Sequence, residues 1–273
     1  MLTRIIVGAL IAPSVFVILF FLPPVCLAAM VCLITAVGSR EMLKATNVPS
    51  DNYAMYLLTA VAAAAIPLGY WQGIGEQVFH ASTLVLAVCL FFLSIRVYNK
   101  NESVDINHLM ICLFAGLIIP SMLSSLIRLQ QMEHGRYLVL LPVVSAFLTD
   151  VGAYFVGMFF GKHRGVTRVS PKKSMEGYIG GILCGSLFML AYGLILQRFA
   201  GLTVNLPLMA LYGLIGSAIT ELGDLSYSLI KRQYGVKDYG AVFPGHGGMY
   251  DRFDSMSFAA PTMLLLVWLA RPF

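Results

Sequence analysis

The chain has 273 residues, of which 59% are hydrophobic and only 11% are charged, and its formal net charge is +5. Soluble globular domains carry about 25% charged and about 45–50% apolar residues, so this composition excludes an ordinary soluble protein. The small, dispersed positive charge fits an anionic lipid surface or phosphate-bearing substrates, and it argues against nucleic-acid binding.

Long apolar stretches recur along the whole chain. A helix needs about 20 mostly apolar residues to cross a bilayer. Nine stretches approach this length, and they centre on residues 5–22, 25–38, 54–70, 78–98, 108–127, 138–160, 178–199, 205–225 and 256–271. We therefore predict an all-α, polytopic integral membrane protein with about nine transmembrane helices. The second stretch is short and follows Pro23-Pro24, so a count of eight is also open.

The ends and loops of these stretches indicate how the chain is organised. We expect the first stretch to stay as an uncleaved span, because no small-residue cleavage site follows it and hydrophobicity resumes at Val25. No internal repeat or soluble domain is visible. We divide the chain into N-terminal membrane helices, 1–137, and C-terminal catalytic membrane helices, 138–273, with polar loops at 161–176 and 226–255.

The distribution of lysine and arginine between the connecting segments predicts the orientation. With nine spans and a cytoplasmic N-terminus, fourteen of these residues lie on the cytoplasmic side and four on the other side. Loops 161–176 and 226–255 then share the cytoplasmic face, where nucleotides are available. They flank one helical hairpin, so they can close over a single site. We expect a multi-pass protein of the cell inner (plasma) membrane, with its active site on the cytoplasmic side.

An acidic residue, Asp150, lies inside a long apolar run beside Thr149. A charged side chain at the centre of a span costs about 2.5–3.5 kcal/mol on insertion scales. An intramembrane acid is therefore a functional hypothesis by default, and we interpret Asp150 as a candidate substrate-binding residue. The alternative is a hydrogen-bonded structural acid between helices.

The loop before the seventh stretch is strongly basic. It contains Lys162, Arg164, Arg168, Lys172 and Lys173. Such loops often serve only as topology signals or as contacts for anionic lipids, and we interpret most of these residues in that way. Ser170, Lys172 and Lys173 are candidate substrate-binding residues, because hydroxyl and amine groups converge there just before a glycine-rich helix.

Three glycines recur every four residues at the start of the seventh stretch, at Gly177, Gly181 and Gly185. Small residues at this spacing let helix backbones approach closely. The pattern predicts tight helix packing and no catalytic role.

Two carboxylates and a hydroxyl can share one helix face near the end of the eighth stretch. Asp224 and Ser228 are four residues apart, and Glu221 precedes Asp224 by three. Acids at this depth favour a metal or proton site facing a polar cavity. The alternative is a snorkelling pair satisfied by Lys231 or Arg232. We predict Asp224 as a metal ligand and Ser228 as a substrate-binding residue.

The stretch 228–254 holds seven ionic residues in 27 positions, interleaved with glycines. Carboxylates can hold a divalent cation, basic side chains can hold phosphates, and glycines let backbone N–H groups approach a polyanion. The candidate catalytic residues are Lys231, Arg232, Lys237, Asp238, His246, Arg252 and Asp254; Gly247 and Gly248 are candidate substrate-binding residues, and Asp251 is a candidate metal ligand. The alternative for Asp251 and Asp254 is that acidic side chains in the first turn of a helix often only interact favourably with the helix dipole. The combination favours phosphoryl or nucleotidyl transfer at a membrane surface.

The same stretch resembles the signature of the phosphatidate cytidylyltransferases, also called CDP-diacylglycerol synthases. That pattern has Ser-x-apolar-Lys-Arg, then Lys-Asp, a small residue, an apolar-Pro pair, His-Gly-Gly and Asp-Arg-x-Asp. It is matched by Ser228, Lys231, Arg232, Lys237, Asp238, Gly240, Phe243, Pro244, His246, Gly247, Gly248, Asp251, Arg252 and Asp254. So many fixed positions in one short stretch make the resemblance specific. The segments around Asp150 and Ser170 also resemble the family, whereas 1–130 matches only in length and hydropathy.

The resemblance implies a reaction in phospholipid biosynthesis: CTP and phosphatidic acid give CDP-diacylglycerol and pyrophosphate. It also implies an all-helical membrane fold, usually a homodimer, with Mg²⁺ held by Asp224 and Asp251 and a potassium ion beside it. The residues are compatible with this reaction, because two polyanions must meet and their repulsion is best overcome by charge neutralisation. A phosphate monoester is already largely ionised at pH 7, so no strong general base is required.

Two other functions remain open from the residues alone. A CTP-dependent lipid kinase would transfer the γ-phosphoryl group to an alcohol, and His246 or Asp150 could then act as the base. An ion-coupled transporter would use the acids Asp150, Glu221 and Asp224. No repeat of two halves supports a transporter, and the polar residues cluster on one face of the membrane.

Overall fold

A computed structural model describes residues 17–49, 52–98, 105–165, 167–243 and 247–273. Within these ranges the chain forms helices and no β-strand, with two isolated β-bridges, Arg164 to Ser174 and Phe243 to Gly247. Several predictions fall outside the described residues: most of the stretch 5–22, Arg4 and Lys100 of the orientation count, Pro244, and the candidate catalytic residue His246.

Eight long helices follow one another along the described residues. They are α1 (Pro24–Ala45), α2 (Tyr53–Trp71), α3 (Gly75–Tyr98), α4 (Ile106–Gln130), α5 (Gly135–Phe160), α6 (Met175–Ala200), α7 (Leu206–Gln233) and α8 (Tyr250–Leu269). The helices α1 to α7 are long and apolar enough to cross a membrane. The predicted all-α, multi-pass membrane fold is confirmed, while the total of nine spans stays a prediction.

Two helices continue beyond the apolar stretches that predicted them. Helix α1 runs to Ala45, and helix α7 runs to Gln233, so the chain between α7 and α8 is only 234–249. Gly235 ends α7 in a left-handed conformation (φ +68°), and its N–H donates to the Arg232 carbonyl at 3.2 Å. Hydropathy marks where the apolar face ends, whereas a helix persists through polar residues until the backbone turns.

The described chain forms two compact units. The first unit comprises the described residues within Met1–Glu133 and Lys231–Phe253, and the second comprises those within His134–Ile230 and Asp254–Phe273. The division predicted from the sequence placed everything after residue 137 in one half. In the structure most of the charged signature belongs to the same compact unit as the N-terminal helices, while the predicted division stays a prediction.

In the first unit, α1 packs against α2 and also anchors the start of α8. The Thr35 hydroxyl donates to the Ala63 carbonyl at 2.7 Å, which ties α1 to α2. Tyr250 is fully buried, and its hydroxyl donates to the Thr35 carbonyl at 3.2 Å. Its ring lies against Gly38, where a Cβ would overlap it. The first residue of α8 is therefore fixed in position beside the candidate metal ligand that follows it.

In the second unit, the predicted packing of the three glycines of α6 is confirmed. A Cβ at Gly181 would lie 3.1 Å from the Thr149 carbonyl, and a Cβ at Gly185 would overlap the Ser217 hydroxyl. The Thr149 hydroxyl donates to Ser217 at 2.7 Å between α5 and α7. The small residues thus let α5, α6 and α7 approach closely around a buried polar seam.

Candidate active site

A buried ion pair organises the segment between α7 and α8 in the first unit. Lys231 Nζ lies 2.7 Å from Asp251 Oδ1, and the two side chains are 10% and 2% exposed. The other oxygen, Asp251 Oδ2, accepts the backbone N–H groups of Tyr239 and Gly248, each at 2.8 Å. One carboxylate therefore joins the last turns of α7 to both sides of the following loop.

One glycine of this loop, Gly247, is required by the conformation of its backbone. Gly247 has φ +87°, and a Cβ there would lie 2.9 Å from Asp251 Oδ2 and 3.2 Å from Asp238 Oδ1. Phe243 N–H donates to the Gly247 carbonyl at 3.1 Å. The N–H of Gly248, predicted to approach a substrate, is engaged by Asp251.

A residue that the sequence reasoning missed also contacts this loop. Glu41, near the end of α1, accepts the N–H of Met249 with its Oε2 at 2.6 Å. The two residues are 208 positions apart. In the sequence Glu41 is one of several charged residues that follow an apolar stretch, between Arg40 and Lys44. Nothing in a single sequence indicates that it contacts Met249.

In the second unit, the structure brings the predicted substrate ligand Lys173 to the predicted metal ligand Asp224. Lys173 Nζ lies 2.7 Å from Asp224 Oδ2 and 2.6 Å from Glu221 Oε2. Glu221 is almost fully buried, with 5% of its side chain exposed, whereas Asp224 is 24% exposed. Among the described residues, no group hydrogen-bonds to Glu221 Oε1.

The charge on Lys173 is maintained by these neighbours. Burial alone would lower the pKa of Lys173, but the Asp224 and Glu221 carboxylates outweigh burial and raise it above the ordinary lysine value. The ammonium therefore stays protonated at neutral pH. It bridges two carboxylates that would otherwise repel each other.

The basic loop before α6 has a defined conformation. The Ser174 hydroxyl caps α6 by accepting the N–H of Gly177 at 3.1 Å. Glu176 lies 2.6 Å from His163 Nδ1 and also accepts the backbone N–H of Lys162 at 3.2 Å. These contacts fix the backbone directly after Lys173. Its neighbour Lys172 is exposed, so the two lysines predicted as a pair have different surroundings.

The remaining predicted residues lie nearer the surface of their own units. Exposed residues are Asp150, Lys172, Arg232, Lys237, Asp238 and Arg252; partly exposed residues are Ser170, Ser228, Gly247 and Asp254. Arg232 donates to the Val236 carbonyl at 3.1 Å and helps to end α7. Asp150 lies on an exposed face of α5, whereas its neighbour Thr149 is buried in the polar seam.

The two predicted metal ligands differ in how well they suit a hard cation. Magnesium prefers carboxylate oxygens, and no three His, Cys, Asp or Glu side chains converge within the described ranges. Asp224 fits, because it is partly exposed and shares the Lys173 ammonium with a second carboxylate, that of Glu221. Asp251 already accepts three hydrogen bonds, so it would bind a metal through the remaining lone pair of Oδ1.

Comparison with known proteins identifies relatives over nearly the whole chain. The sequence model of the cytidylyltransferase family matches residues 2–270. A protein of Staphylococcus epidermidis named phosphatidate cytidylyltransferase is 33% identical over 229 residues, which covers 84% of this chain and 83% of the relative. A protein of the same name from Staphylococcus aureus is 32% identical over 229 residues, which again covers 84% of this chain and 83% of the relative. The relative from Staphylococcus haemolyticus is 39% identical over 135 residues, or 50% of each chain. The chain therefore belongs to the cytidylyltransferase family.

Proposed function

We propose that this protein is a phosphatidate cytidylyltransferase, which makes CDP-diacylglycerol for phospholipid biosynthesis. A phosphate oxygen of phosphatidic acid attacks the α-phosphorus of CTP, the bond between the α- and β-phosphates breaks, and pyrophosphate leaves. The observation that carries this proposal is the family match along the chain together with the intact signature at 228–254. The relatives named above carry the name of this activity.

The charges of the described site suit a reaction between two polyanions. Cationic side chains are needed to offset the repulsion between a triphosphate and a phosphate monoester. Lys237, Arg232 and Arg252 are exposed on or beside the loop, where phosphate groups can reach them. We assign these three to the phosphates of CTP and of the leaving pyrophosphate. Lys231 is buried on Asp251, so we assign it to loop geometry as well as to charge neutralisation.

We assign the second basic site to the lipid phosphate. Lys173 is 27% exposed and lies two residues before the start of α6, at the end of an apolar helix, where a lipid headgroup would lie. Ser170 and Lys172 belong to the same short turn, in which Lys173 N–H donates to the Ser170 carbonyl at 3.2 Å. A headgroup phosphate would compete with Asp224 and Glu221 for the Lys173 ammonium.

We propose that the protein binds Mg²⁺, with a potassium ion beside it. Asp224 is the better suited ligand, and Asp251 is the second proposed ligand. Magnesium bound there would neutralise phosphate oxygens and polarise the phosphoryl group.

The proposal also covers the membrane in which the protein lies, the side of its polar loops and its assembly. The described helices make this a multi-pass membrane protein. We propose the plasma membrane, because the relatives are bacterial, and we propose the cytoplasmic side for the polar loops, because basic residues favour that side. A homodimer is the proposed assembly, on the resemblance alone. Neither a lipid kinase nor a transporter gains support from the family match.

Product analysis tests the proposed activity. Purified protein with CTP, phosphatidic acid and Mg²⁺ should form CDP-diacylglycerol and pyrophosphate in equal amounts, measured by mass spectrometry and a coupled pyrophosphatase assay. When a lipid alcohol replaces phosphatidic acid, CDP release with phosphorylation of that alcohol would instead indicate the kinase. An absence of CTP consumption by folded protein in both mixtures would contradict both functions.

A further inference from the structure

The segment between α7 and α8 is held by a second carboxylate, which comes from α1. Glu41 Oε2 accepts the N–H of Met249 at 2.6 Å, a short hydrogen bond from a backbone donor to a carboxylate acceptor. Met249 lies two residues before Asp251. The contact therefore joins the signature to α1, a helix in the N-terminal half of the chain that lies outside the signature.

The Glu41 side chain also lies directly against two glycines of the loop. A Cβ at Gly240 would overlap the Glu41 carboxylate, and its three nearest atoms would all belong to Glu41. A Cβ at Gly248 would lie 2.5 Å from Glu41 Oε2 and 2.7 Å from the Gly240 nitrogen. The outgoing and returning parts of the loop thus approach each other at the Glu41 carboxylate. In this chain the contact leaves room only for glycine at position 240.

Glu41 and Asp251 act on adjacent residues of the same loop. Asp251 accepts the N–H groups of Tyr239 and Gly248, and Glu41 accepts the next one along the chain, from Met249. Movement of the loop at Met249 would shift Gly248 and hence the carboxylate of Asp251. That shift would be transmitted to Lys231, which is paired with Asp251 at 2.7 Å.

We propose that Glu41 is a positioning residue for cytidylyl transfer. Its carboxylate fixes Gly240, Gly248 and Met249, and through them it holds Asp251 and Lys231 in their working geometry. Glu41 acts through the loop and does not contact the reacting atoms. The proposal rests on the proposed function, and it adds a residue that the family signature does not contain.

The first test compares three substitutions that separate hydrogen bonding, length and charge. Glu41→Gln keeps an acceptor oxygen at the same distance, so kcat should fall by less than about tenfold. Glu41→Asp keeps the charge but is one methylene shorter, and Glu41→Ala removes the acceptor. For both of these kcat should fall by about 10²-fold, the usual cost of a misplacement of about 1 Å, with KM for phosphatidic acid changed by less than about threefold.

The matched control is Glu76→Gln, the same substitution at an exposed acid of the same unit. Glu76 lies 3.6 Å from Arg128 and is 63% exposed, so parental kcat is expected. Each variant is assayed only in the monodisperse fraction, and its unfolding temperature in detergent is recorded. A role limited to stability would lower the unfolding temperature and leave kcat of the folded fraction at the parental value.

The second test uses the glycine contacts. Gly240→Ala should be strongly impaired alone, but in the Glu41→Ala background it should cost nothing further, because the overlapping carboxylate is gone. Gly248→Ala should still reduce activity in that background, because the Gly240 nitrogen remains in the way. Such non-additivity is expected only of residues in direct contact.

The proposal is supported if Glu41→Gln keeps most of the parental kcat, and if the double variant Glu41→Ala with Gly240→Ala is no less active than Glu41→Ala alone. It is overturned if kcat of Glu41→Ala stays within threefold of the parent, if Glu41→Asp is active while Glu41→Gln is not, or if the losses multiply in the double variant. Because the parent and Glu76→Gln are assayed together with the variants, an inactive parent would reveal failure of the proposed function itself, and the positioning role would fall with it.

Discussion

Lys231 and Asp251 form a buried ion pair, with 2.7 Å between Nζ and Oδ1, that connects the end of α7 to the start of α8. Both residues belong to the charged signature, so the proposed chemistry and the loop structure would depend on the same side chains. Burial of two charges is compensated here by further hydrogen bonds, because Asp251 Oδ2 also accepts two backbone N–H groups.

Asp251→Asn should therefore impair both stability and turnover. The substitution leaves the Lys231 ammonium buried without its counter-charge, which typically costs about 3–5 kcal/mol. We expect a clearly lower unfolding temperature in detergent as well as loss of activity. For the unfolding temperature, the control is Asp238→Asn at an exposed acid of the same loop. An unchanged unfolding temperature for Asp251→Asn would contradict the structural role of this carboxylate.

Asp224→Asn should behave differently, since Asp224 is 24% exposed and its partner Lys173 keeps a second carboxylate. A partly exposed ion pair contributes about 0–1 kcal/mol, so stability should hardly change. Turnover should fall by about 10²-fold or more, as is usual when a group that stabilises transition-state charge is removed. Titration with Mg²⁺ is the direct measurement. Parental turnover and Mg²⁺ dependence would remove Asp224 from the metal site.

Substitutions of the two neighbouring lysines of the basic loop should have different effects on activity and stability. Lys172→Gln removes an exposed charge, worth about 1 kcal/mol near an anionic surface, so KM for phosphatidic acid should rise only severalfold. Lys173→Gln leaves Glu221 buried without a counter-charge, so stability and turnover should both fall.

A double variant tests what Lys173 does beyond stability. Lys173→Gln with Glu221→Gln removes both charges of the pair, so it should recover much of the unfolding temperature. Turnover should stay low, because the ammonium assigned to the lipid phosphate is still absent. If turnover returned together with stability, the role of Lys173 would be structural only.

Accessibility labelling tests the predicted orientation. Cysteines introduced at the exposed positions Arg168 and Gln233 should react with impermeant maleimides from the cytoplasmic side only. The buried capping residue Ser174 is unsuitable as a label site. Labelling of the two positions from opposite sides would contradict the predicted cytoplasmic location of both loops.

The sequence was sufficient for the helical membrane fold, because apolar stretches and packed glycines such as Gly181 are local signals. It was not sufficient for the ends of α1 and α7, since hydropathy reports burial in lipid and not the end of a helix. It also could not separate Lys172 from Lys173, because only the fold decides which lysine reaches Asp224. Glu41 was missed for the same reason, as its partner Met249 is 208 positions away.

The most direct test of cytidylyl transfer is the fate of label from CTP during turnover with phosphatidic acid and Mg²⁺. CTP labelled at the α-phosphate should transfer its label to the lipid fraction with one pyrophosphate released per label. CTP labelled at the γ-phosphate should leave the lipid unlabelled. Label from the γ-phosphate in lipid, with none from the α-phosphate, would contradict the proposed function.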